Sequence, residues 1–132
     1  RDPRQEQVAR IARRLKGLAR DLDVPVLCLA QLNRQAEDSR DHRPRLSHLR
    51  ESGAIEQDAD VVMFIHREEY FHRGEEQQQY AGQAELIISK QRNGPVGEIE
   101  LVWEKTYTRF HDKAPVRMEA FDNYNATDEE EF

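Results

Sequence analysis

Apolar residues recur at Val8, Ile11, Leu15, Leu18 and Leu22, spacings that alternate between three and four and so predict an amphipathic helix. Asp2-Pro3 reads as its start, an N-cap followed by proline at the first helical position, where a missing N–H costs nothing. Arg10, Arg13, Arg14 and Arg20 occupy much of the other side, a pattern that more often marks a solvated face than a DNA contact. After Asp23 comes a continuous apolar run, Val24-Pro25-Val26-Leu27-Cys28-Leu29-Ala30, which predicts a strand buried on both faces. Residues 35–48 read as a polar loop carrying Arg40, Arg43 and Arg45. A short helix is expected next, with Ser47 as candidate N-cap, broken at Ser52-Gly53 and resumed over 54–57. Residues 60–65 predict a second buried strand, 67–82 a charged, Gln-rich mobile connection, and 84–89 a third strand. Asn93-Gly94 and Gly97 turn that strand into 98–103, whose alternation predicts an antiparallel partner with one exposed side; 108–110 adds a short last strand.

Helix then doubly buried strand predicts an α/β layer fold, mostly parallel, with an antiparallel C-terminal hairpin. The expected domain covers 1–113, followed by an acidic, disordered tail over 114–132.

Composition narrows the setting. With 132 residues the chain can hold one domain with a real core, yet its charged share of 35% nearly equals its hydrophobic 37%, which points to partner surfaces or a disordered end. No apolar run reaches membrane-spanning length and no secretory pattern opens the chain, so no membrane partner is expected. The opening Arg1-Asp2-Pro3-Arg4 lacks an initiator Met, and the chain is expected to be a piece of a longer protein. Its one cysteine, Cys28, lies in an apolar run and reads as a buried structural thiol in a reducing, cytoplasmic compartment. Charge is uneven: residues 1–50 hold 12 Lys and Arg against 7 Asp and Glu, or +5, whereas 51–132 hold 8 against 19, or −11. An acidic total argues against nucleic acid, but a local basic stripe can still bind phosphate. Histidines at 42, 48, 66, 72 and 111 have no clear metal-ligand spacing, so no metal site is expected.

The sharpest chemical signal is Lys90-Gln91-Arg92-Asn93-Gly94-Pro95. Residues two apart on a strand share a face, so Lys90 and Arg92 project together, roughly 6.6 Å apart. An ammonium beside a guanidinium makes a receptor for a terminal phosphate. The chain has no G-x-x-x-x-G-K-[ST] phosphate loop, so a nucleotide served by this pair must be held elsewhere. Gln31-Leu32-Asn33-Arg34 leaves the first predicted strand at its carboxyl end, where open α/β sheets place ligands. The plain alternatives are a solvated strand end for the two cations and a loop glutamine bonded to nearby backbone.

These motifs, together with Leu49-Arg50-Glu51-Ser52-Gly53-Ala54-Ile55-Glu56-Gln57-Asp58-Ala59-Asp60, resemble the bacterial replicative hexameric DNA helicase of the DnaB type. The likeness runs in order from about Arg4 to Phe110 and covers the C-terminal half of a RecA-like P-loop NTPase motor domain, without its phosphate loop. The resemblance implies that Lys90 and Arg92 reach across a subunit boundary to the γ-phosphate of ATP. It makes Gln31 a γ-phosphate-sensing switch, and Arg50, Glu51 and Gly53 the loop that follows single-stranded DNA. Backbone N–H groups around a glycine can approach a phosphate closely, and Arg50 would add charge. Glu51 would contribute mainly its amide; otherwise Arg50 and Glu51 simply cap a helix break. ATP and Mg²⁺ are the implied cofactors, bound mainly by upstream residues and the neighbouring subunit. Implied partners are single-stranded DNA, identical subunits in a hexameric ring, primase and a helicase loader, in the bacterial nucleoid. Arg34 adds long-range attraction for DNA or is a solvated loop charge. The chain alone is expected to lack ATPase activity. A different reading is a RecA-like binding module of the recombination or clock type that does not translocate; a third is a degenerate scaffold whose basic loop binds protein.

Overall fold

In the computed structural model, residues 3–32 and 39–114 are described. Helix α1 (Pro3–Leu22) follows the apolar stripe, with Glu6 in its first turn and Arg20 in its last, both favourable to the helix dipole. The N-cap expected at Asp2, and Arg34, lie outside the described residues, as does everything beyond 114. The chain leaves α1 through Asp23, held in the left-handed region at φ 51. Its N–H donates to the Arg20 carbonyl at 3.3 Å, while that of Val24 reaches Ala19 at 3.1 Å.

The run 24–30 departs from expectation. It belongs to no strand. Leu27 is 77% exposed and Leu29 89%. Cys28, expected to be buried, is exposed with it. A doubly buried strand needs hydrogen-bonded neighbours on both edges, and among the described residues none lies beside this run.

The sheet comes later. Strands β1 (Val61–His66), β2 (Gln83–Gln91), β3 (Gly97–Glu104) and β4 (Arg109–Asp112) lie in chain order, each pair antiparallel. The mostly parallel sheet therefore does not occur among the described residues, where tight turns join β2 to β3 and β3 to β4 and a longer, partly helical link over 67–82 joins β1 to β2. β1 was expected to be buried on both sides, but only one is covered: Val62, Phe64 and His66 face inward, while Val61, Met63 and Ile65 face out. Its pairing with β2 slips between Val62 and Met63, a bulge close to the end of β2 that carries Lys90.

Two helical pieces meet at Ser52-Gly53 as expected, but without a gap: a 3-10 helix (Leu46–Ser52) runs straight into α2 (Gly53–Asp58). The cap is Arg45, not Ser47. Its N–H donates to His48 Nδ1 at 3.0 Å, an imidazole doing what Glu or Gln does in a capping box. The connection expected to be mobile is helical in two places, a 3-10 turn (Glu68–Phe71) and α3 (Gly74–Gln79). Leu49, Val62, Phe64 and Ile87 make the core, joined by Leu32, Leu46 and Ala59. That core ties the 3-10 helix over 46–52 to the inner face of β1 and β2.

Candidate functional site

Helix α2 ends in carbonyls that no further turn satisfies, and such a C-terminus attracts cations. Two arrive from β2 and the turn after it. Lys90 Nζ donates to the carbonyls of Glu56 and Gln57, and Arg92 Nη2 donates to the Gln57 carbonyl at 3.3 Å. Lys90 and Arg92 thus share one acceptor, although Arg92 lies in the turn after β2 and not on the strand that was expected to carry both. Arg92 also pairs through Nη1 with Asp60 Oδ1 at 3.0 Å, and its backbone N–H donates to the Asp60 carbonyl at 2.8 Å. The other Asp60 oxygen accepts from Lys16 Nζ of α1. The bond from Lys16, then the charges of Lys16, Arg92 and Lys90, hold the Asp60 carboxyl below the usual carboxylate range. Sequence reading missed Asp60 and Lys16, whose partners lie far along the chain.

The opposite end of α2 carries the residues expected to meet DNA. Arg50 and Glu51 lie in the 3-10 helix over 46–52, and Gly53 is the first residue of α2. Gly53 has ordinary right-handed helical angles, φ −51 and ψ −27, so no glycine-only conformation is in use. A Cβ there would meet nothing within 4 Å. A six-residue helix is about 9 Å long, so the two candidate sites are the two ends of one short rod.

Gln31 is exposed at the end of the extended segment, next to Leu32, which packs on the core. Among the described residues no hydrogen bond joins Gln31 to Lys90 or Arg92. The loop arginines are largely occupied. Arg43 pairs with Glu85 at 2.7 Å and Glu98 at 2.6 Å, and Arg45 pairs with Asp41. Burial opposes the Arg43 charge, but Glu85 and Glu98 outweigh it and raise its pKa. Arg67 sits over the Trp103 ring, 4.3 Å from its centroid, and contacts Glu69 at 3.4 Å. The first contact ties the end of β1 to β3, and the second is local to the 3-10 turn that follows.

Among the described residues, no group of three or more His, Cys, Asp or Glu is arranged to hold a metal ion. No helix there is long and apolar enough to cross a membrane.

The class comes first from structure. A solved ATPase domain superposes with a TM-score of 0.78 at 45% identity, over 85% of this chain and 38% of that one. A DnaB-like replicative helicase, whose structure was described with its interactions with primase, superposes with a TM-score of 0.77 at 45% identity, over 85% of this chain and 26% of that one. The fold is that of DnaB-like helicase ATPase domains. The family model of the DnaB-like helicase C terminal domain matches residues 1–112, and the chain belongs to that family. The replicative DNA helicase DnaB of Geobacillus stearothermophilus is 48% identical over 110 residues, 83% of this chain and 24% of the relative. That of Pasteurella multocida is 49% identical over 116 residues, 88% of this chain and 24% of the relative. The chain spans about a quarter of the length of the curated relatives it matches.

Proposed function

We propose that this chain serves as the C-terminal portion of an ATP-dependent replicative DNA helicase, working in a hexameric ring on single-stranded DNA in the cytoplasm. Lys90 and Arg92 complete the nucleotide site of the neighbouring subunit, and Arg50, Glu51 and Gly53 follow the DNA strand. Gln31 senses the γ-phosphate from the exposed end of its segment. The observation that carries this reading is the gathering of Lys90 and Arg92 at one end of α2, with Arg50 and Gly53 at the other. A short helix so placed can pass a displacement at the DNA end to the cations. Relatives that are replicative helicases favour this reading over a binding module that does not translocate.

The pair fits a phosphate. A guanidinium has five N–H donors and an ammonium three, so the bonds to α2 and Asp60 leave donors over for an anion. Among the described residues no carboxylate set is arranged for Mg²⁺, which, like the nucleotide, would be held mainly by upstream residues and the neighbouring subunit. Bound ATP supplies the phosphoryl group; the two cations stabilise charge as it is transferred, an effect typically worth about 10³–10⁵ in rate. In the complete motor domain, residues 24–30 take their place beside parallel neighbours. A primase and a helicase loader are the expected protein partners.

The test is steady-state ATP turnover of the complete protein, with and without single-stranded DNA. Arg92→Ala should lower both rates by a factor of at least ~10³. Arg50→Ala should lose DNA stimulation while basal turnover survives, and with it part of the salt-dependent affinity for oligo-dT, whose slope is about −0.7 per phosphate neutralised. Equal loss of basal and stimulated turnover in Arg50→Ala would remove that residue from the DNA path.

A further inference from the structure

We propose that Asp60 is the positioning residue for Arg92, holding its guanidinium in the plane from which it meets the phosphate. This rests on the reading of Arg92 as the cation that completes a neighbour's nucleotide site.

Asp60 occupies the joint between α2 and β1 and grips Arg92 twice, through its carbonyl at 2.8 Å and through Oδ1 at 3.0 Å. Its remaining oxygen is taken by Lys16. Asp60 and Arg92 are both about half exposed, 53% and 48%, and an ion pair that open contributes little to stability. Its consequence is orientation. A guanidinium is planar, so the hydrogen bond from Nη2 to the Gln57 carbonyl, the charge contact of Nη1 with Asp60 and the backbone bond from Arg92 to the Asp60 carbonyl together restrict the direction of its other N–H groups. A carboxylate beside a phosphate-binding arginine would repel the phosphate, and Lys16 offsets that charge. Helix α1, remote from the cations in sequence, thereby becomes part of their support. The Lys16 bond is the largest influence holding the Asp60 carboxyl below its ordinary value.

Steady-state kinetics of the complete protein test this. Asp60→Asn should lower kcat by about 10- to 100-fold, up to the ~10²-fold that a 1 Å misplacement can cost, with the nucleotide KM little changed. In an Arg92→Ala background the same substitution should cost nothing further. Asp60→Glu, which keeps the charge, should recover part of kcat. Should Asp60→Asn fold poorly, Lys16→Gln replaces it, with a smaller kcat loss that again vanishes in the Arg92→Ala background. An equal loss with and without Arg92, or no loss at all, overturns the proposal. Undiminished turnover in Arg92→Ala alone overturns the role of Arg92 itself, and is separable from the other outcomes because it needs no change at Asp60.

Discussion

Glu68 accepts from two imidazoles, Oε2 from His66 Nε2 and Oε1 from His72 Nε2, both at 2.8 Å. His72 also meets Glu76 at 3.3 Å and stacks on Tyr80 with ring centroids 4.7 Å apart. This cluster pins the helical turns between β1 and β2. Burial alone would raise the Glu68 pKa, but the bonds from His72 and His66 prevail and lower it. The bond to Glu68, opposed by burial and helped by Glu76, raises that of His72. A raised folded-state value means that the His72 contribution is complete below its ordinary value near 6.5 and fades as pH climbs through the raised one. A lowered value means that the Glu68 contribution is complete above about 4.5 and fades as pH falls through the lowered one. The clasp is therefore strongest between those limits. Thermal melts should show Glu68→Gln lowering the midpoint by a few degrees at pH 5.5 and by less at pH 8.5; equal shifts at both would show that His72 protonation adds nothing. At this scale sequence reading was uneven. Lys90 and Arg92 were singled out by their spacing and meet as expected, but the strand ends at Gln91 and it is the turn after it that brings Arg92 to the Gln57 carbonyl. Asp60 and Glu68 were not singled out, since an acidic residue beside a strand looks the same whether solvated or gripping a cation.

Elements were legible where periodicity met local pairing. Helix α1 and strands β2, β3 and β4 follow from stripe, alternation and turn residues, and all three strands find antiparallel partners nearby in the chain. The run 24–30 did not, although its composition is that of a strand, because hydrogen-bonded neighbours are a property of the surrounding sheet and not of the segment. Helix α3, Gly-Glu-Glu-Gln-Gln-Gln, has no apolar stripe for a periodicity argument to find. β1 offers a measurable consequence. Phe64 is buried in the core at 6% exposure, whereas Ile65 faces out at 55%. In urea melts of this chain, Phe64→Ala should cost about 3–5 kcal/mol, and Ile65→Ala under ~1 kcal/mol. If further residues of the complete protein cover the outer face of β1, the cost of Ile65→Ala there should rise to about 2 kcal/mol or more. An unchanged cost would mean that this face stays open to water.

At the scale of the whole molecule, the proposed site is divided, with cations on this chain and the phosphate-holding residues elsewhere. The fold places Lys90 and Arg92 on the partly exposed rim of α2 and the turn after β2, where an adjoining subunit can reach them. The motif order and the lack of a G-x-x-x-x-G-K-[ST] motif suggest this division from the sequence, whereas the arrangement of subunits is a property of the assembly. A mixing experiment separates service in trans from service in cis. Two complete proteins are prepared, one carrying Arg92→Ala and the other a disabled phosphate loop, each inactive alone. If each site joins the phosphate loop of one subunit to the cations of the next, random equimolar rings contain intact sites at about a quarter of their interfaces. Turnover should then return to a substantial fraction of the unmodified rate. If the cations serve their own subunit's nucleotide, no subunit in the mixture carries both intact halves, and mixing restores nothing. The isolated 132-residue chain, added to rings carrying Arg92→Ala, should restore turnover only where it enters the ring, because a cation pair in free solution lacks the geometry that makes it effective.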